Sequence, residues 1–198
     1  MKKLARSEKL DLYKKHKEEY AATRTPRLVD LSKARYLCIQ GKGKPGDESF
    51  TEHVGTLYNM AFTIKIQSKA AGRDYSVCKL EGLWWGQGRN GVWKWKLLIR
   101  IPEFIQEKHR QAALVVLEEK GKGNLVEMVT LETLNEGRCV QLLHVGPYDQ
   151  ERESITTLEK FAKGLGLSLH GEHHEIYLSD PRRVAPEKLR TILRHPVR

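Results

Sequence analysis

The chain has 198 residues, 39% hydrophobic and 30% charged, which is ordinary for a soluble globular protein and excludes disordered, collagen-like and membrane classes. No run approaches the roughly 18 apolar residues of a membrane span, and Met1-Lys2-Lys3-Leu4-Ala5-Arg6-Ser7 lacks the apolar stretch of a secretory signal. A formal net charge of +10 raises nucleic acid as a partner, but Lys and Arg are spread along the chain without a recognisable DNA- or RNA-binding motif, so neither nucleic acid nor membrane is the expected partner.

In chain order, residues 4 to 22 mix Lys and Glu with Leu4, Leu10, Leu12, Tyr13 and Tyr20, which reads as a weakly amphipathic helical arm that Thr25-Pro26 breaks. Arg35 to Gln40 reads as a strand. Ser49 and Glu52 have capping-box spacing, and Phe50, Val54, Leu57, Ala61 and Ile64 recur in steps of four and three, which predicts a long helix flanked by Tyr58 and Phe62. Tyr75 to Trp85 and Val92 to Ile101 read as a hairpin joined by the glycine-rich segment 86 to 91. Pro102 suits the first turn of a connecting helix that ends at Lys120-Gly121-Lys122-Gly123. Val126 to Leu134 and Cys139 to Val145 read as two further strands, and Asp149 opens a helix with Ile155, Leu158 and Phe161 inside. Strands at His173 to Pro181 and Arg190 to Val197 close the chain. Cys38, Cys78 and Cys139 are odd in number and lack CxxC spacing, which points to reduced core thiols and a cytoplasmic location.

The order strand, helix, strand, strand occurs twice. Sliding the second half back by 94 positions puts Glu175 on Glu81 and Arg194-His195-Pro196 on Arg100-Ile101-Pro102, the mark of an internal duplication. The expected fold is therefore α+β: tandem βαββ modules forming a pseudo-two-fold antiparallel sheet, with helices on one face and a ligand cleft on the other. The pseudo-repeats span about 25–101 and 124–198 and are joined by a connecting helix at 102–121. Residues 1–24 form the arm ahead of a single domain at 25–198, expected to be monomeric or homodimeric.

Within the strand at His173-His174-Glu175-Ile176-Tyr177-Leu178-Ser179, alternation sends His174, Ile176 and Leu178 to one face and His173, Glu175, Tyr177 and Ser179 to the other. The second face pairs a carboxylate with an aromatic ring. Gly41, Gly43 and Gly46 fit a dinucleotide spacing, but Pro45 intrudes and no parallel βαβ unit follows, and Gly86, Gly88 and Gly91 join two strands, so no cofactor is expected. His170, His173, His174 and Glu172 read as a turn-surface cluster, and no metal is expected, because neighbouring strand residues point to opposite faces.

Four stretches carry a resemblance: Gln40-Gly41-Lys42-Gly43, Leu80-Glu81-Gly82-Leu83-Trp84, Leu143-His144-Val145-Gly146-Pro147-Tyr148-Asp149 and His174-Glu175-Ile176-Tyr177-Leu178-Ser179-Asp180-Pro181-Arg182-Arg183-Val184. Over residues 25 to 198 the chain resembles the stand-alone GyrI-like small-molecule-binding family, relatives of the gyrase inhibitory protein and of the effector domains of multidrug-responding transcription activators. The resemblance implies a central cleft for a small apolar or cationic aromatic molecule, with a buried glutamate at the position of Glu175. It also implies possible hydrolysis, and so detoxification, of cyclopropane-bearing alkylators. No DNA-binding domain precedes the expected cleft, unlike in the transcription activators.

A carboxylate walled by rings is a better base toward water and, once ionised, a counter-charge for a delocalised cation. Glu175 is the candidate base, with Tyr148 or Tyr177 as hydrogen-bond donor. Trp84, Trp85, Trp93, Trp95 and Tyr58 are candidate walls, and Glu81 is the expected counterpart of Glu175. Because Glu81 and Trp85 share a face, Trp85 is favoured over Trp84 for the cleft unless a bulge reverses the order. Alternative functions are non-catalytic sequestration of cationic drugs and an interaction with gyrase or nucleic acid.

Overall fold

The computed structural model describes residues 9–86, 92–122 and 124–198, so the tip of the 86 to 91 segment lies outside the described residues. Residues 1–8 of the arm, Leu4 among them, lie outside the described residues; the described part holds two short helices, α1 (Leu12–Lys15) and α2 (Lys17–Tyr20), rather than one continuous helix. Helix α3 (Glu48–Ala70) buries Leu57, Met60, Ala61 and Ile64 as its spacing predicts. It starts earlier than Ser49, because Asp47 caps it by accepting from the Phe50 N–H at 2.7 Å, satisfying an amide that the helix cannot. Helix α4 (Glu107–Glu119) begins after Pro102, with Gln106 and His109 capping one another reciprocally. Helix α5 (Arg152–Gly164) follows a single 3₁₀ turn at Tyr148–Gln150.

Eight strands form one antiparallel sheet: β1 (Arg27–Leu31), β2 (Ala34–Gly43), β3 (Leu80–Trp85), β4 (Trp93–Ile101), β5 (Thr130–Leu134), β6 (Gly137–Val145), β7 (His173–Tyr177) and β8 (Arg190–Pro196). Their order is β1-β6-β8-β7-β3-β4-β2-β5, so each half contributes three contiguous strands and the halves meet at β3 and β7. Each half also lends an edge strand to the other, since β1 pairs with β6 and β5 pairs with β2. Strand β1 is not evident from sequence. Its whole signal is the pair Val29 and Leu31, which alternation buries.

Register decides which face each residue serves. Gly82 lies opposite Glu175, Glu175 opposite Leu193 and Gly82 opposite Leu97, so these side chains share a face. That face carries both helices: α3 packs on Leu37, Ile39, Trp84, Trp95, Leu97 and Ile99, and α5 packs on Val140, Leu142 and Leu193. Glu175 therefore lies on the helix-bearing face, in the interval between α3 and α5, and not on the opposite one. The repeat also carries an offset. If Arg194 corresponds to Arg100, then Leu193 corresponds to Ile99, whose partner is Leu80; the counterpart of Glu175 is Leu80 and not Glu81. A one-residue slip reverses every side chain, which sends Glu81 and Trp85 to the back.

The arm covers the back face. Tyr20 lies between the guanidiniums of Arg100 and Arg194, at 5.6 and 6.0 Å from its ring centroid, and its hydroxyl donates to Glu81 at 3.2 Å. Arg100 donates to the Glu19 carboxylate at 2.6 Å and Arg194 to the Glu19 carbonyl at 2.6 Å. Gln141 accepts from Arg194 and donates to the Ala21 carbonyl.

On the front, the fully buried Trp95 indole lies against the bare backbone of Gly41, where an added Cβ would come within 2.0 Å of the ring. Gly41→Ala is expected to cost about 1 to 3 kcal/mol by overpacking, read as a lower thermal midpoint. An unchanged midpoint would show that the ring has room to move.

Candidate functional site

The site is built over the β3/β7 seam. Opposite Glu175 the chain has Gly82, and an added Cβ there would come within 2.9 Å of the Trp84 Nε1 and 3.1 Å of the Tyr177 hydroxyl. The missing side chain leaves space for a hydrogen-bond relay. The Trp84 Nε1–H donates to the Tyr177 hydroxyl at 3.0 Å, and that hydroxyl donates to Glu175 Oε2 at 2.7 Å. Phe50 from α3 stacks on Trp84 at 5.8 Å, and Trp93 meets the same ring edge-on at 6.3 Å. Tyr148 stands at the rim, 39% exposed, with its ring perpendicular to that of Tyr177 at 5.7 Å.

Two further residues converge on Glu175. Glu151, at the start of α5, is buried, and its Oε1 has no hydrogen-bond partner. His173 places Nε2 3.6 Å from Glu175 Oε1, and this atom too is buried without a hydrogen-bond partner. Donor atoms of Glu151, His173 and Glu175 lie within 4.8 Å of one another, the one grouping among the described residues compact enough to hold a metal ion. The Glu175 side chain is only 14% exposed.

Burial raises both carboxyls; the charge and hydrogen bond of Glu175 raise Glu151 further, whereas hydrogen bonds from Tyr177 and Glu151, then the charge of His174 and the hydrogen bond from Trp84, hold Glu175 back. Burial, then the neighbouring His195 and His174, push His173 down to about 3, so its ring is neutral. Tyr148 is raised to about 12 by burial and by the nearby carboxylates, which keeps its phenol protonated as a donor.

The other residues marked in the sequence fall around this centre. Tyr58 packs at the edge of the α3 core with its phenol raised by burial, and Trp95 is core beneath Phe50 and His53. Trp84, and not Trp85, lies beside Glu175; Trp85 packs on the back with Tyr36, Cys38 and Leu98. Glu81 is wholly buried on the back, bonded to Tyr20 and His174. Two of the three histidines expected at a turn surface are not there, since His174 is fully buried and His173 mostly so, whereas half-buried His170 and exposed Glu172 do precede the strand. Alternation already put His173 on the face of Glu175. Nothing in the spacing points to Glu151, which only the fold of the second repeat brings in. A separate recess of about 890 Å³ adjoins β6 and α5, but the His144 ring beside it is satisfied by Ser154 and the Pro147 carbonyl.

A pseudo-two-fold α+β sheet with a buried carboxyl pair among aromatic rings, between two helices, defines a small-molecule-binding fold. The family described as GyrI-like small molecule binding domain matches residues 99–198. An uncharacterised conserved protein from Listeria innocua is 35% identical, with a TM-score of 0.90 over 96% of this chain and 100% of that one. A hydrolase from Listeria innocua is 36% identical, with a TM-score of 0.88 over the same shares. The chain belongs to the GyrI-like family. The EcmrR C-terminal domain shares the fold at 12% identity and a TM-score of 0.59, over 88% of this chain and 97% of that one. No curated protein matches the sequence, and among the described residues no helix is long and apolar enough to cross a membrane.

The sign of the pH dependence follows from these groups. Above the ordinary carboxylate range the folded chain keeps protons on Glu151 and Glu175 that the unfolded chain has lost, so their ionisation erodes stability as pH rises. Against burial, Glu136 and Glu81 lift His174 to about 9, so its contribution is also lost as pH climbs through that value. Against burial, His174 and Arg194 hold Glu136 at about 2, a contribution lost in acid. The thermal midpoint is expected to peak near about pH 5 to 6 and to fall toward about pH 9, with a shallower fall in Glu151→Gln. A midpoint rising over that interval contradicts the assignment.

Proposed function

We propose that the protein binds a small apolar or cationic aromatic molecule over Glu175 and hydrolyses electrophilic members of that class, such as cyclopropane-bearing alkylators, a detoxifying activity. The observation that carries this reading is the buried Glu151/Glu175 pair beside Trp84 and Tyr177. Support comes from the hydrolase from Listeria innocua, which is 36% identical. Three free, buried cysteines fit a reducing cytoplasm.

The chemistry balances with water as the only co-reactant. Glu175 accepts a proton as the water oxygen bonds to a ring carbon, and the C–C bond from that same carbon to the ring carbon conjugated with a carbonyl breaks, its electrons moving into the carbonyl. That oxygen takes a proton from Glu151, which burial and Glu175 keep protonated, or a hydrogen bond from the Tyr148 phenol at the rim. Tyr177 already donates to Glu175, so it orients the base. Trp84 and Tyr148 offer flat faces to the substrate.

Incubation with a cyclopropane-bearing alkylator is expected to give a water adduct, and Glu175→Gln to slow its formation by roughly 10²-fold or more, the usual contribution of a general base. Equal rates in wild type, Glu175→Gln and buffer end the catalytic reading. Tight, Glu175-dependent binding without product would instead favour sequestration, the function that the family description alone implies.

A further inference from the structure

Two carboxylates brought together out of water repel one another unless a cation lies between them. Glu151 reaches the β3/β7 seam from the start of α5, and His173 and Glu175 share one face of β7. Among the described residues neither carboxylate forms an ion pair with Lys or Arg. Glu151 is 6% exposed, and its Oε1 is buried without a hydrogen-bond partner. The Nε2 of His173 is buried and unpartnered as well, because Glu175 Oε1, at 3.6 Å, is beyond hydrogen-bond reach. A proton shared by the two carboxyls would satisfy Glu151 and still leave His173 without a partner. One metal ion among the three satisfies all of them.

The spacing is that of a ligand set. Two ligands at about 2.1 Å from a tetrahedral ion stand about 3.4 Å apart, and the separation of His173 Nε2 from Glu175 Oε1 is 3.6 Å. The three donor atoms lie within 4.8 Å of one another, and the rotatable Glu151 side chain supplies the remaining approach. The Tyr177 hydroxyl donates to Glu175 Oε2, which fixes the carboxylate and leaves Oε1 facing His173, the usual part of an outer partner in a metal site. The donor set selects the ion. Calcium and magnesium take about six or more oxygen ligands, whereas an imidazole with two carboxylates and no thiolate suits a divalent transition metal such as zinc.

We propose that Glu151, His173 and Glu175 form a binding site for one divalent transition-metal ion of the zinc class, with the fourth position of the ion left to water or a ligand. The inference goes beyond the hydrolysis proposed above and does not rest on it. With the ion in place neither carboxyl is free to act as base or acid, so the hydrolysis reading concerns the metal-free chain. The ion and a flat organic cation answer the same need for positive charge at the seam.

The test is calorimetric titration of Zn²⁺ into full-length protein stripped with a chelator, together with anomalous diffraction from Zn²⁺-soaked crystals. One Zn²⁺ per chain is expected, at micromolar or tighter affinity, with an anomalous peak between the three side chains. Glu151→Gln and His173→Gln should each weaken binding by roughly 100-fold or more, and Tyr177→Phe, which removes only the outer partner, by about 10-fold. If a variant does not fold, the position of the anomalous peak in the wild type decides. Zn²⁺ that binds only at millimolar concentration, a peak elsewhere on the molecule, or an affinity unchanged in folded Glu151→Gln and His173→Gln overturns the inference. The readout is separate from turnover. Zn²⁺ held at this site by a chain that does not hydrolyse the alkylator when metal-free rejects the enzymatic reading alone, and hydrolysis by a chain that does not bind Zn²⁺ rejects this inference alone.

Discussion

The register of β3 against β7 is the constraint on which the rest of the molecule depends. With Gly82 opposite Glu175, the two halves bring a carboxylate, Tyr177, Trp84 and His173 to the helix-bearing side of the sheet. A slip of one residue would exchange Glu175 for His174 and Trp84 for Trp85, and the site would disappear without loss of a strand. The glycine admits the Tyr177 hydroxyl and the Trp84 indole to the seam, because any side chain there would occupy the space of their hydrogen bond.

The back face shows what it takes to hold that register. Three carboxylates, Glu19, Glu81 and Glu136, meet Arg100, Arg194 and the His174 imidazolium, so the buried charges balance. Breaking such a set is costly, since removing one member leaves a charge without a partner in a low dielectric. The members come from the arm, from β3, β4, β7 and β8, and from the turn between β5 and β6. The network ties both repeats and the arm to the strand that carries Glu175. The front of the seam has the opposite character, with two acidic groups that no Lys or Arg among the described residues pairs with, a difference that leaves binding capacity for a ligand.

Much of this was legible in the sequence, for reasons that can be named. The stripe of α3, the α+β class, the duplicated order and the alternation of β7 follow from periodicity, which survives folding because one face of each element must be buried. What alternation cannot supply is register between strands that are distant in sequence. The 94-residue slide aligns Arg194 with Arg100 but misses the offset in β3, so it set Glu81 beside Glu175 and preferred Trp85 to Trp84. The exchanged strand β1 depends on a contact between the halves, and the approach of Glu151 on tertiary contacts within the second half, so neither leaves a periodic signal in the sequence.

A crystal structure of the protein soaked with ethidium, a flat aromatic cation, tests the central claim most directly. The account predicts the ligand between α3 and α5, within reach of Glu175 and against Trp84 or Tyr148, with the back-face network intact. Ethidium on the back face or elsewhere, with Glu175 still enclosed by Tyr177 and Glu151, would contradict it.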